Sequence, residues 1–484
     1  RLRDSEDARS GFASTFAELY RDQIDLLVEA GRGDDAFKLL ERSRAQGFLN
    51  MLAQRQLGLG AETPAELLAS QRQLDTEYDQ AQAALGKLSP AKDAAEVQRR
   101  VNALAELAQR RDKVAANIRK AAPAVAALSA PQSVDVAAAQ AALDPGTVLL
   151  SYSVGKDRTL LFAVTAEDGL RIFPIAMTAE ALRARVLAFR GMIERGRRLD
   201  EPEPPLLAQG ERLFADLLGP ALPILEAHAR IVISADGPLH VLPMAALVRS
   251  RAPLEYLAEW RPTHAIASAT VYAKLRSGKR PDDGAPLVAF GDPAYEGRFP
   301  QLPNSRDEVT QLAALLGPKS QVFLGAAATE AQAVSGTAGA RYVHFATHGL
   351  LDRRLPLDSA LVLTASKDDN GLLQAWEIIE RLRLNADLVT LSSCETGLGR
   401  ELGGEGVISL SRAFQYAGAR SVVVSLWSVA DRSTAELMLA FYTQLKEGQT
   451  KDAALASAQR ALIHSERSKH PFHWAAFELT GDWQ

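Results

Sequence analysis

From about residue 285 the chain alternates two textures. Apolar runs, "PLVAFGD", "QVFLG", "ARYVHFATHG", "ADLVTLSSC" and "ARSVVVSLW", are separated by helix-patterned segments near 304–316, 374–383, 406–418 and 433–446. Short runs that are apolar on both faces, joined by helices, predict an α/β fold: a mostly parallel sheet with helices on each side. Open parallel sheets collect reactive groups at the carboxyl ends of their strands. Two of these runs end in such groups, one at His348-Gly349 and the other at Cys394. A right-handed crossover makes them neighbours, about 4.8 Å apart across the sheet.

Cys394 is the only cysteine of 484 residues. A thiolate is a nucleophile, and a nearby imidazole takes the thiol proton and later returns it to a leaving amine. The backbone amides of Gly349 and Cys394 are the candidate donors to an oxyanion. Each residue also has a plain structural reading. A lone cysteine at a strand end packs as a small hydrophobe, and His348 serves as a turn residue bonded to backbone. His344, four residues earlier, reads as core. A zinc site of His344, His348 and Cys394 lacks a second cysteine or a carboxylate at ligand spacing, so no metal is expected. No G-x-S-x-G elbow and no G-x-x-x-x-G-K-[ST] loop occurs, which leaves serine-hydrolase and P-loop chemistry without an anchor and implies no cofactor. The loop "GLGRELGGEG" carries Glu401 and Glu405, which repel phosphate; it reads as a mobile loop beside the site.

The first part of the chain is helical. Residues 11–59 carry apolar positions at helical spacing, and "EAGRGDDAFKLLERSRA" resembles the second half of a tetratricopeptide repeat. A single repeat cannot bury its own face, so it would cap a stack lying upstream; an ordinary helical hairpin is the alternative. Residues 63–122, rich in Ala, Gln, Arg and Glu and broken by "LSP", predict an antiparallel helical hairpin with solvated faces. The texture turns β-rich after "SAPQSVD". "TVLLSYSV", "TLLFAVTA" and "LRIFPIA" read as strands, 179–197 as a helix, and "RIVISADGPLHVLPMAALV" as a buried strand and turn. The boundaries are 1–60, 61–128, 129–284 and 285–484. The formal charge of −4 argues against direct nucleic-acid binding. No run of 18 apolar residues exists, so no membrane span is expected. One cysteine rules out an internal disulfide, and a reducing cytoplasm is the simplest setting. The opening "RLRDSEDARS" has no Met and no signal pattern and reads as part of a longer chain.

"YVHFATHG", "LVTLSSCETGLG", "ARSVVVSLWSVAD", "HPFHWAAFELTGDW" and "SADGPLHVLPMAAL" together resemble the CHAT domain, over roughly 140–484. CHAT domains are caspase-like cysteine peptidases of the caspase/separase clan, commonly fused behind tetratricopeptide repeats. The resemblance implies a caspase-like sheet with pseudo-protease and active halves behind an all-α arm. It implies a Cys394–His348 dyad, His348 standing 46 positions before Cys394. Ser-Ser-Cys-Glu-Thr-Gly departs from the caspase signature, which puts an Asp-directed pocket in doubt. On the separase pattern, Asp431 in "LWSVADRS" becomes an S1 acid for Arg or Lys; its alternative role is an N-cap for a helix starting near Ser433. The half at 140–280 has no cysteine and is inactive as a cysteine peptidase. The resemblance further implies a protein substrate and a protein or ribonucleoprotein regulator engaging the helical arm, some relatives acting in bacterial defence. Two rival readings stay open: a catalytically latent scaffold, and a thiol acyltransferase.

Overall fold

The computed structural model describes residues 19–54, 133–277, 284–352, 356–367, 369–392, 405–429 and 431–484, with scattered helical positions between 66 and 117. Its contacts form two units. Residues 1–47 group with 133–484, and 48–132 form the other unit. In the 48–132 unit, Arg110 lies 3.5 Å from Glu77.

The body is built on one 11-stranded sheet. Its first block holds β1 (Thr147–Val154), β2 (Thr159–Thr165), β3 (Gly169–Ile175), β4 (Arg230–Ser234) and β7 (Thr263–Ala265), while β5 (Val248–Arg251) and β6 (Leu254–Tyr256) form a separate hairpin. The second block holds β8 (Leu287–Pro293), β9 (Gln321–Gly325), β10 (Tyr342–Ala346), β14 (Leu388–Leu391), β15 (Ser421–Ser425) and β16 (Phe477–Gly481). The strand order is β3-β2-β1-β4-β7-β16-β15-β14-β10-β8-β9. Strands β9, β8, β10, β14 and β15 run parallel, as continuous apolar runs require. The β1–β2–β3 meander is antiparallel, because tight "GKD" and "EDG" turns permit no crossover. β16 pairs antiparallel with β15 and meets β7 through the single pair Thr480–Ala265, so the two blocks share one sheet.

Among the helices of this body are α1 (19–29), α2 (Gly33–Gln54), α3 (Ala179–Arg195), α4 (Pro303–Leu316), α5 (Glu405–Tyr416), α6 (Asp431–Lys446) and α7 (Lys451–Ile463). On one face of the second block Phe323, Phe290, Phe345 and Phe414 form an aromatic row. Phe290 stacks on Phe345 at 4.9 Å and on Phe323 at 5.1 Å, and Phe414 of α5 closes on Phe345 at 5.7 Å. The other face carries polar groups that satisfy one another. His344 Nε2 lies 2.8 Å from Glu308 Oε1 of α4, and its Nδ1 lies 3.3 Å from the Tyr442 hydroxyl of α6. That hydroxyl also meets Thr390 Oγ1 at 2.9 Å. Buried polar groups persist when they are paired. His344 is thus a satisfied core histidine, as the sequence indicated. Among the described residues, no helix is long and apolar enough to cross a membrane.

Candidate active site

β10 and β14 are adjacent and parallel, paired Tyr342–Leu388 through Phe345–Leu391. Phe345 lies three positions before His348, and its partner Leu391 lies three positions before Cys394. In sequence, His348 and Cys394 thus stand at equal offsets from a paired position. The central strand itself stops at Ala346, two residues short of the expected end. His348–Leu350 (β11) instead opens a small antiparallel sheet with β12 (Ala360–Val362) and β13 (Leu372–Gln374), where Gly349 faces Leu361. β12 is the strand that pairs with β11. It gives His348 a second support once it has left the main sheet.

His348 is 2 % exposed. Its Nε2 lies 2.7 Å from the carbonyl oxygen of Pro300. A carbonyl only accepts, so Nε2 carries the hydrogen, and in the neutral ring Nδ1 holds the free lone pair. Nδ1 is buried and has no hydrogen-bond partner among the described residues. The ring sits between Tyr295 at 5.0 Å and Phe299 at 5.8 Å, and the His348 backbone N–H donates to the Tyr295 hydroxyl at 3.3 Å. Burial pushes that phenol well above its ordinary range, so it stays neutral and able to accept.

Tyr295, Phe299 and Pro300 belong to the loop after β8, the neighbour of β10 on its other side. The sequence reading missed them. Their signal was the position of "DPAYEGRFPQL" directly after the predicted strand "PLVAFGD". Asp292 and Glu296 have positive φ, 44° and 50°. Non-glycine residues seldom adopt that conformation, and such positions cluster at functional sites. Asp292 is held there by a bond from its N–H to Ser305 Oγ at 2.9 Å and by Arg306 at 2.8 Å, both on α4.

On the β14 side, Ser392 N–H donates to the Phe345 carbonyl at 2.9 Å. Its hydroxyl is buried without a partner among the described residues. Residues 393–404, which include Cys394, its amide and most of the acidic glycine-rich loop, lie outside the described residues, as does the side chain of Asp431. Asp431 is the first residue of α6, so that helix starts two positions earlier than the N-cap alternative assumed. The 426–429 connection leading toward it is firmly held. Leu426 N–H donates to the Ala476 carbonyl at 2.8 Å, and Trp427 Nε1 donates to the Phe472 carbonyl at 3.1 Å. Both acceptors lie in the "HPFHWAAF" stretch. Among the described residues, no cluster of His, Cys, Asp and Glu fit to hold a metal occurs.

The sheet thus sets a buried histidine, oriented by a backbone carbonyl, two residues past β10, the neighbour of β14. The CHAT domain model matches residues 207–482, more than half of the chain, and the chain belongs to the CHAT domain family. Tetratricopeptide repeat protein 28 of Homo sapiens is 28% identical over 334 residues, covering 58% of this chain, and the Mus musculus protein matches equally. The chain spans only 13% of the length of either relative. Among solved structures, the Saccharomyces cerevisiae separase–securin complex aligns over 96% of this chain and 44% of that one, at 10% identity and TM-score 0.47. The Arg-specific cysteine proteinase gingipain R aligns over 63% of this chain and 76% of that one, at 8% identity and TM-score 0.34.

Proposed function

We propose that the chain is a cysteine endopeptidase acting through Cys394 and His348. The observation that carries this reading is the state of His348. Its Nε2 is fixed on the Pro300 carbonyl, its Nδ1 is buried and unpartnered among the described residues, and in sequence it lies as far past Phe345 of β10 as Cys394 lies past Leu391, the residue of β14 that pairs with Phe345. A ring held in this tautomer has one basic nitrogen left for the thiol.

The reaction balances on those groups. The Cys394 thiol gives its proton to Nδ1 as sulfur adds to the scissile carbonyl. Backbone N–H groups, with Gly349 and Cys394 as candidates, receive the oxyanion. Collapse expels the amine, which takes the proton from the imidazolium, and water then hydrolyses the thioester with the same ring as base. The Pro300 carbonyl accepts the Nε2 hydrogen throughout and stabilises the cationic ring. The substrate is a protein, and Asp431, at the start of α6, supplies the acid that selects Arg or Lys at P1. The helical arm is the part a regulator would engage.

The test is cleavage of fluorogenic peptides that differ only at P1, with the unchanged protein, Cys394→Ala, His348→Ala and Asp431→Asn. Cleavage after Arg and Lys should disappear in the first two variants. Asp431→Asn should lose the basic preference while keeping turnover of other peptides. Cleavage that survives both dyad substitutions overturns the mechanism. Complete inertness of the unchanged protein, with Cys394 unreactive toward alkylators, supports the latent-scaffold reading instead.

A further inference from the structure

The α1–α2 arm is tied into the first block of the sheet by buried charge. Arg44 of α2 donates from Nη2 to the Tyr152 carbonyl at 2.6 Å and to the Ser234 carbonyl at 3.1 Å, and from Nη1 to the Ser234 hydroxyl. These acceptors lie in the last residues of β1 and β4. Glu41, fully buried, accepts from the Thr270 N–H at 2.8 Å and from its hydroxyl at 2.9 Å. On α1, Arg21 pairs with Asp236 at 3.1 Å, while Asp25 and Glu29 hold Arg158 at 2.8 and 2.9 Å. The "SADGPLH" turn, whose role the sequence left open, is thus the socket for the arm.

The socket leads on to α3. The other oxygen of Asp236 accepts from the Val154 N–H at 2.7 Å, and the next carbonyl, Gly155, accepts from the Ala179 N–H, the first residue of α3, at 2.9 Å. The short turn Gly237–Val241 packs along α3 as well. Near its far end α3 presents Arg190, largely buried, whose Nη2 donates to the Leu426 carbonyl at 2.6 Å while Nε pairs with Glu194 at 2.5 Å. Its guanidinium also lies 5.9 Å from the Trp427 ring centre. Leu426 begins the connection that runs from β15 to Asp431.

We infer that Arg190 is a positioning residue through which the helical arm, by way of the Asp236 socket and α3, sets the 426–429 connection and with it the P1 preference. The inference rests on the endopeptidase reading and adds the route by which a partner on the arm reaches the site. Coupling of this kind travels through contiguous packed and hydrogen-bonded elements, and it is established by measured coupling rather than by adjacency. A bidentate, planar guanidinium fixes a carbonyl and a carboxylate at once, which neither methionine nor lysine reproduces.

The experiment uses the full chain and its single cysteine. Labelling of Cys394 by a peptidyl-arginine acyloxymethyl ketone and by iodoacetamide is followed by intact mass, and the ratio of the two rates is the readout. Arg190→Met should lower the ratio about tenfold with the iodoacetamide rate nearly unchanged, because small misplacement of a positioning element costs selectivity steeply. Arg190→Lys should recover part of the ratio, and it carries the test if the methionine variant does not fold. Arg21→Ala should lower the ratio too, and the double variant Arg21→Ala/Arg190→Met should lose less than the product of the single effects. A folded Arg190→Met protein that keeps the full ratio overturns the coupling alone, and so does strict independence of the two sites. Equal reagent preference in the unchanged protein overturns the basic-P1 reading and the coupling with it.

Discussion

Replacing Tyr295 by phenylalanine removes one oxygen and leaves the aromatic ring in place. That oxygen accepts the His348 backbone N–H at 3.3 Å, and both residues are almost wholly buried. A buried donor left without a partner costs about 1–3 kcal/mol. The bond is longer than the usual N–H···O distance of about 2.9–3.0 Å, which places the loss at the lower end, about 1–2 kcal/mol. The ring contacts at 5.0 Å with His348 and 6.0 Å with Phe299 remain. Urea unfolding followed by far-UV circular dichroism gives the stability change. Iodoacetamide labelling of Cys394 reports on the site, and it should slow by up to about thirtyfold if the lost energy appears as displacement of the imidazole. Tyr295→Leu, which also removes the ring packing, should cost about 3–5 kcal/mol. A Tyr295→Phe protein with unchanged midpoint and unchanged labelling would refute the claim that this hydroxyl seats His348.

Burial, with Glu377 and Asp369 nearby, pushes the Glu330 carboxyl up to about 7. The folded protein therefore binds a proton more tightly there than the unfolded chain, and the stability is full below about pH 4.5 and falls as pH rises through 7. Glu330→Gln should melt with the parent at pH 5 and above it at pH 8, by differential scanning fluorimetry. Tyr442→Phe removes the hydroxyl shared by His344 and Thr390 and should cost about 1–3 kcal/mol in urea unfolding. Gly418 has φ 115°, and a Cβ there would strike the Leu384 carbonyl. Gly418→Ala should destabilise by at least about 1–3 kcal/mol in the same assay.

The second block was legible because its parallel strands are short, mostly apolar runs separated by helix-patterned segments. "PLVAFGD", "QVFLG", "ADLVTLSSC" and "ARSVVVSLW" were recognisable as strands, and the intervening helices fall within a few residues of their expected bounds. The pairing of β10 with β14 followed from their order and the crossover rule. β16 was missed: five residues that alternate buried and half-buried give a weak signal inside an aromatic-rich tail. The end of β10 was also misjudged. "YVHFATHG" is apolar enough to read through, but Thr347 separates the central strand from β11, which pairs elsewhere. Of the site, His348 was visible by residue type and position. Its supports were not, because Pro300 contributes only a carbonyl, and a backbone acceptor leaves no trace in residue identity. Arg44 and Arg190 were hidden for a related reason. Each looks like a charge on an amphipathic helix until the fold aims it at carbonyls more than a hundred residues away.

The account turns on whether the free Nδ1 of His348 serves the Cys394 thiol. The rate of Cys394 alkylation by iodoacetamide at pH 7, read by intact mass in the unchanged protein and in His348→Ala, addresses this directly. A thiol activated by the imidazole should lose about a hundredfold in rate when the ring is removed. Equal rates in the two proteins, both folded by circular dichroism, would contradict the dyad.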